Sequence, residues 1–341
     1  MSDLDEAVLE RWLQGVVPGF TKLASLEKFP GGQSNPTYRV ATAGKSYVLR
    51  RKPFGQLLPS AHAVEREFRL MSALHPTGFP TPAPIALCDD ATVIGTTFYL
   101  MELVEGRTFW DGSLPGLQLA ERRAYYEAMV DTLAALHRLD HQALGLGDFG
   151  RPGNFFARQV DRWTKQYRAA QTDDIPEIEQ LIEWLPRTVP EQTRASIIHG
   201  DYRIDNLIYG VEEPRVQAVL DWELATIGDP LADFTYLAMN WAIPFDGRSG
   251  LGGLDLEQAG LPSLQDMIAR YCEAAGRDGL PDLHWYFAYN LFRLAGIVQG
   301  VKKRLADGNA SSAEAAATAA RVLPLARSAW AEARKAGATG N

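Results

Sequence analysis

Apolar positions change their period several times in the first third of the chain. Leu4, Val8, Leu9, Trp12 and Leu13 recur at helical spacing, which predicts an amphipathic helix over 2–14, capped by Ser2 or Asp3. Over 46–52 the period falls to two around Tyr47, Val48 and Leu49. That predicts a strand carrying Val48, Arg50 and Lys52 on one face. Helical spacing returns over 63–74, where Val64, Phe68, Met71 and Leu74 form one stripe. Glu67 falls inside that stripe and Glu65 outside it. A carboxylate on a buried face needs a partner, because desolvation otherwise favours its neutral form. A cation on that strand face, Arg50 or Lys52, is the expected partner; the alternative is a Glu67 that reaches the edge and pairs with a surface cation. The prolines of 76–84 mark an extended connector. Residues 96–104, TTFYLMELV, read as a buried strand ended by Glu105-Gly106.

Helical spacing dominates the remainder. Over 119–139, Tyr126, Met129, Val130, Leu133 and Leu136 define an inner face. Two more helices are expected over 161–170 and 176–185. There Trp163, Tyr167, Trp184 and Leu185 read as core, with a pocket wall as the open alternative. Tyr202 and the aromatic residues of 234–241 share that ambiguity. A long helix over 284–305 carries Trp285, Ala288, Leu291, Phe292, Ala295 and Val298, and Lys302, Lys303 and Arg304 complement its C-terminal dipole. The Ala-rich tail is a further helical region interrupted at Pro324. Two short passages tempt a site assignment and fail it. His137 and His141 lie four apart but lack the HExxH pattern and a third ligand, so core or capping roles are expected. The glycines of 247–260 lack a Lys-Ser/Thr ending, so a mobile loop near a substrate mouth or a simple connector is expected.

One stretch breaks the pattern. Between the apolar pairs Ile197-Ile198 and Leu207-Ile208 lies the polar run HGDYRIDN, and the alternating residues 216–220 deliver Asp221. Gly210 and Pro214 sit between, so a hairpin is expected, with Asp201, Asn206 and Asp221 near one end of it. An acid, a carboxamide and a second acid can hold a divalent cation and steer a nucleophile. A polar surface loop is the plainer alternative, and the ordered set of three argues against it. Far upstream, FPGGQSNPTYRV places two adjacent glycines between strand-like runs, where backbone N–H groups can approach phosphate oxygens. It has neither GxGxxG nor GK[ST], so alone it is a weak signal.

Composition bounds the setting. The chain has 341 residues and a net charge of −8, which argues against nucleic acid and membrane surfaces as partners. Its 2 cysteines, Cys88 and Cys272, give no disulfide framework and suit a reducing cytoplasm. The acidic start MSDLDEAVLERWL lacks the features of a secretion signal. No uncharged apolar run approaches the roughly 18 residues of a membrane span. A cytoplasmic protein is expected, with its oligomeric state open.

With His-Gly before Asp201 and Leu-Asp-Trp-Glu around Asp221, the polar stretch resembles the aminoglycoside phosphotransferase and choline-kinase-like family. The resemblance extends to GGQSNPTYRV, to VLRRKP with Glu67, and to GDPLADF at 228–234. It implies an α+β, two-lobed protein-kinase-like fold. Residues 1–104 would form a small antiparallel-sheet lobe that includes the hinge strand, and 105–341 a larger helical lobe. It further implies transfer of the ATP γ-phosphate to a hydroxyl of a small molecule, with Mg2+ as the metal. Asp201 would be the base and Arg203 would touch the transferred phosphate; Asn206 and Asp221 would hold Mg2+. Gly32, Gln33, Ser34 and Asn35 would form the loop over the nucleotide. Arg50, with Lys52 as runner-up, would meet its phosphates in partnership with Glu67. Backbone groups of Glu102 and Val104 would meet adenine. Asp229 is expected to cap a helix and Asp233 to support the catalytic loop. The absence of an APE-like segment disfavours a protein substrate. A nucleotide-binding pseudokinase and a metal-dependent phosphohydrolase are the alternatives. The family resemblance includes antibiotic, choline, homoserine and sugar kinases and domains fused to acyl-CoA dehydrogenases, so the acceptor stays open.

Overall fold

The computed structural model describes residues 4–30, 35–55, 62–245, 247–308 and 315–339. Of the expected nucleotide-loop residues, Gly32, Gln33 and Ser34 therefore lie outside the described residues. The chain divides into two compact units. One comprises Met1–Phe109, Asp140–Gly147 and Ile204–Ala225; the other comprises Trp110–Leu139, Asp148–Arg203 and Thr226–Asn341.

The first unit opens with helix α1 (Glu6–Val16), which begins later than the periodicity suggested. Its cap is Asp5, whose Oδ1 accepts from the backbone N–H groups of Ala7 and Val8 at 3.0 and 3.1 Å. Leu4, before the cap, and Leu9, four residues after it, both enter one buried cluster, which fixes the entry of the chain. Strands β1 (Leu23–Lys28), β2 (Thr37–Thr42), β3 (Ser46–Arg51), β4 (Pro84–Cys88) and β5 (Phe98–Glu102) form an antiparallel sheet in the order β1-β2-β3-β5-β4. Period two divides its faces. Tyr38, Val40, Tyr47, Leu49, Phe98 and Leu100 join Leu9 and Leu13 of α1 in the buried cluster. Arg50 and Tyr99, opposite each other in the β3–β5 register, have the other parity. Helix α2 (Val64–Leu74) meets that parity: Phe68 lies 6.0 Å from the Tyr99 ring, and Glu67 is buried as its stripe requires. The short helix α3 (Ala91–Ile94), capped by Asp90, links the last two strands of the sheet.

The hairpin of β7 (Leu207–Tyr209) and β8 (Val216–Val219) belongs to the same unit. Tyr209 exchanges two backbone hydrogen bonds of 2.8 Å with Arg107. A Cβ on Gly106 would lie 2.2 Å from the Tyr209 carbonyl oxygen, so only glycine lets the segment pass so close.

The second unit is helical. It contains α4 (Leu119–Arg138), α5 (Phe155–Ala170), α6 (Pro176–Trp184), α7 (Leu231–Ala238), α8 (Leu264–Ala275), α9 (His284–Ala306), α10 (Ala315–Ala319) and α11 (Val322–Lys335). One small antiparallel pair, β6 (Ser196–Ile198) with β9 (Thr226–Gly228), crosses it. Helix α5 starts earlier than 161 because Phe155, Phe156 and Val160 continue its buried stripe. The Phe156 ring meets Trp285, Tyr286 and Tyr289 of α9 at centroid distances of 5.4, 5.2 and 5.2 Å. Trp163, Tyr167 and Tyr202 are buried, which answers the core-or-pocket question for them. Pro324 falls in the first turn of α11, where its missing N–H costs nothing, so it does not interrupt the helix. Residues 247–260 are pinned by backbone hydrogen bonds, as a connector would be. Leu251 is buried and donates to the Asn240 carbonyl at 2.7 Å, and Gly252 donates to Ile243 at 2.8 Å.

Candidate active site

In the first unit the hairpin brings two of the sequence candidates to neighbouring backbone. Leu207 faces Val219, and the Leu220 N–H donates to the Asn206 carbonyl at 2.8 Å, so Asn206 sits beside the residue that precedes Asp221. Asp221 has φ 64° and ψ 58°, the left-handed region that Asp tolerates better than most residues. The turn is locked from behind: buried Trp222 donates its indole N–H to Val219 at 3.0 Å and packs edge-on against Phe79.

The reversed backbone places the Asp221 Oδ1 2.6 Å from Nη2 of Arg50. Arg50 Nε lies 3.0 Å from Glu67 Oε2, and its Nη2 lies 3.6 Å from Glu223 Oε2. Glu67 also accepts from the Tyr99 hydroxyl at 3.1 Å. Asn35 is 1% exposed and closes the ring of contacts. Its Nδ2 donates to Glu67 at 3.1 Å and to Glu223 at 3.3 Å, while its Oδ1 faces His62 Nδ1 at 3.1 Å. One guanidinium thus answers three carboxylates. Burial, with Asp221 adding to it and Arg50 opposing it, raises the Glu67 carboxyl to about 7. Burial works against the charge on Arg50, but the surrounding carboxylates outweigh it and hold the guanidinium protonated. Lys52 is engaged elsewhere, 2.6 Å from Glu65 at a more exposed edge. A pair of that kind contributes only about 0–1 kcal/mol, whereas breaking a buried pair such as Arg50–Glu67 costs about 3–5 kcal/mol.

Glu102 closes β5. Its N–H is given to the Ala83 carbonyl at 2.9 Å, and its carboxylate lies 3.2 Å from Lys45. Val104 lies two residues beyond the strand and is half-buried.

The second unit holds Asp201 in a loop built almost wholly from hydrogen bonds. Buried Asp233 accepts from the backbone N–H groups of His199 and Gly200 at 2.6 and 2.8 Å and faces His137 Nε2 at 3.4 Å. Burial opposes its charge, yet His137 and the His199 N–H hold its carboxyl below the ordinary range. His137 Nδ1 meets the Tyr271 hydroxyl at 2.7 Å, so this histidine belongs to the core support. Asp229 accepts from the Leu231 N–H at 2.9 Å, the capping role expected of it. Gly200 has φ 84°, and the Asp201 N–H then donates to His199 Nδ1 at 3.2 Å. Tyr202 is fully buried and donates to the Met129 carbonyl at 2.8 Å. Arg203 Nε lies 3.4 Å from Asp201 Oδ1. Burial and the neighbouring Asp201 carboxylate push the Tyr236 phenol well above its ordinary range, and Arg293 Nη2 donates to the Gly200 carbonyl at 2.7 Å.

Sequence reasoning gave no role to Glu223, His62 or Arg293, and left Tyr236, among the aromatic residues of 234–241, between core and pocket. A signal existed for Arg293, a lone cation inside the apolar run Leu291-Phe292-Arg293-Leu294. Glu223 stood inside the quoted LDWE motif, while His62 and Tyr236 carry no periodic signature.

Residues 25–279 match the phosphotransferase enzyme family. The chain is 44% identical over 337 residues to acyl-CoA dehydrogenase family member 10 of Mus musculus, covering 98% of this chain and 32% of that protein. It is 43% identical over 323 residues to acyl-CoA dehydrogenase family member 11 of Homo sapiens, covering 94% of this chain and 41% of that one. The chain therefore spans about a third to two fifths of the length of these curated relatives. A crystal structure of a candidate aminoglycoside phosphotransferase from Ralstonia eutropha is 46% identical, with a TM-score of 0.89 over 97% of this chain and 99% of that one. Aminoglycoside phosphotransferase APH(4)-Ia, at 17% identity and a TM-score of 0.65, shares the fold alone. The α+β kinase-like class follows from the five-stranded antiparallel sheet, the helical unit and these structural likenesses. With the match spanning 25–279 and the relatives aligned over nearly the whole length, the chain belongs to the phosphotransferase enzyme family.

Proposed function

We propose that the protein transfers the γ-phosphate of ATP to a hydroxyl group of a small molecule. The observation that carries this reading is the buried Arg50–Glu67 pair joined at 2.6 Å to Asp221. A phosphate-binding cation, the carboxylate that orients it and a hard oxygen ligand are the parts phosphoryl transfer uses. In this reading residues 1–104 serve as the nucleotide-binding lobe and 105–341 supply the catalytic loop and substrate pocket. Asn35 and its neighbours Gly32, Gln33 and Ser34 cover the phosphates, and backbone groups of Glu102 and Val104 receive adenine.

The donor set fits Mg2+. Asp221 and Asn206 offer hard oxygens, and three carboxylates around one guanidinium leave an excess of negative charge that a divalent cation would answer. Among the described residues no group of three or more His, Cys, Asp or Glu forms a ready metal cage. That suits Mg2+, which keeps waters and uses few protein ligands beside substrate phosphates. When bound, Mg2+ would neutralise charge on the phosphates. Asp201 orients the acceptor hydroxyl and takes its proton, while Arg203 meets the transferred phosphate. Both thiols are free, and among the described residues no helix is long and apolar enough to cross a membrane. We place the activity in the cytoplasm on the strength of the cysteine usage.

Nucleotide calorimetry tests the phosphate-binding assignment. Arg50→Ala is expected to weaken Mg·ATP binding far more than Lys52→Ala, because only Arg50 joins the Glu67–Asp221 network. The reverse order of the two variants would move the role to Lys52.

A further inference from the structure

Arg293 is 8% exposed and stands in the apolar middle of α9. Burying a guanidinium costs several kcal/mol unless acceptors surround it. Its hydrogen bond goes to the catalytic loop. Nη2 donates to the Gly200 carbonyl at 2.7 Å, and the guanidinium lies 4.9 Å from the Tyr236 ring and 5.6 Å from the Trp163 ring. Among the described residues its Nε finds no hydrogen-bond partner. A charge kept at such cost for core packing alone would be replaceable by an apolar side chain.

Two of these contacts end beside one group. Gly200 holds the left-handed turn that sets the position of Asp201, and the Tyr236 phenol neighbours the Asp201 carboxylate, to which it can donate. Burial keeps the Tyr236 hydroxyl protonated, so it serves as donor. We propose that Arg293 is a positioning residue for Asp201, fixing the loop through the Gly200 carbonyl and orienting the carboxylate through the Tyr236 ring stacked against it. Two other neighbours of Asp201 serve other tasks. Arg203 meets the carboxylate from its own loop, and His199, itself held by Asp233, fixes the backbone. This inference rests on Asp201 being the base of the proposed reaction.

The test is ADP release from Mg·ATP with water in the acceptor's place, measured on the full chain. Tyr236→Phe, Arg293→Met and Arg293→Lys are made in the wild-type and the Asp201→Asn backgrounds, with kcat and nucleotide KM separated. Tyr236→Phe removes only the phenol donor and keeps the ring, so it reads the relay even where Arg293→Met folds poorly. Both Tyr236→Phe and Arg293→Met are expected to lower kcat by about 10- to 100-fold at unchanged KM, with partial recovery in Arg293→Lys. Neither is expected to lower it further once Asp201 is Asn, since residues acting through one group are not additive. Equal losses in both backgrounds, or a raised KM at unchanged kcat, would overturn the positioning role while leaving Asp201→Asn slow. An Asp201→Asn variant as fast as wild type would instead remove the base assignment and the inference with it.

Discussion

Asp201→Asn is expected to bind Mg·ATP nearly as well as the wild type and to transfer phosphate about 10² to 10⁴-fold more slowly, the usual contribution of a general base. The separation follows from how the loop is built. Its backbone is fixed by Asp233 on the N–H groups of His199 and Gly200, by Tyr202 on the Met129 carbonyl and by Arg293 on the Gly200 carbonyl. None of these contacts uses the Asp201 carboxylate. The substitution therefore preserves size and loop geometry while removing the proton acceptor. Single-turnover transfer to an identified acceptor, with nucleotide affinity measured in parallel, checks it. Unchanged transfer would eliminate Asp201 as the base; lost nucleotide binding would make its role structural.

The second large effect is expected at Asp221. Asp221→Ala should lose the Mg-dependent part of nucleotide binding, a weakening of at least about 100-fold, since even supporting groups around a metal are worth 10- to 100-fold. Asp205→Ala should keep it. Asp221 sits in a left-handed turn with its carboxylate 2.6 Å from Arg50, in the cluster that carries the charge excess. Asp205 lies in the short turn before β7, where no ligand role falls to it. Arg50 retains Glu67 in the Asp221 variant, so the fold should persist. Metal titrations followed by nucleotide calorimetry report the contrast. Loss of the metal effect in Asp205→Ala alone would refute the ligand set.

How much of this was legible beforehand depends on range along the chain. The inward face of Glu67 and the face shared by Arg50 and Lys52 were readable because two local periods, 3.6 on a helix and two on a strand, each point a side chain in a known direction. The VLRRKP resemblance chose Arg50. The hairpin was readable from turn residues between apolar runs. The support of the loop by Asp233 came with the GDPLADF resemblance. What stayed hidden is long-range. Asn35 and Glu223 are 188 positions apart, and nothing in either local pattern announces their hydrogen bond. The stacking of Arg293 on Tyr236 joins two helices whose order in the chain does not set their packing. At the start of α1 the period was right and the boundary wrong, because Ser2, Asp3 and Asp5 are all competent caps. Tertiary burial of Leu4 and Leu9 decides among them.

The central claim is that this chain moves phosphate from ATP to a hydroxyl. Its most direct test is a screen of hydroxylated metabolites with γ-labelled ATP and Mg2+, run with wild type and Asp201→Asn side by side. The expected result is a labelled acceptor that forms above the rate of hydrolysis by water, requires Mg2+, and falls by about 10² to 10⁴-fold in the variant. Tight nucleotide binding with no acceptor labelled above the water rate would contradict the claim and leave a nucleotide-binding pseudokinase in its place.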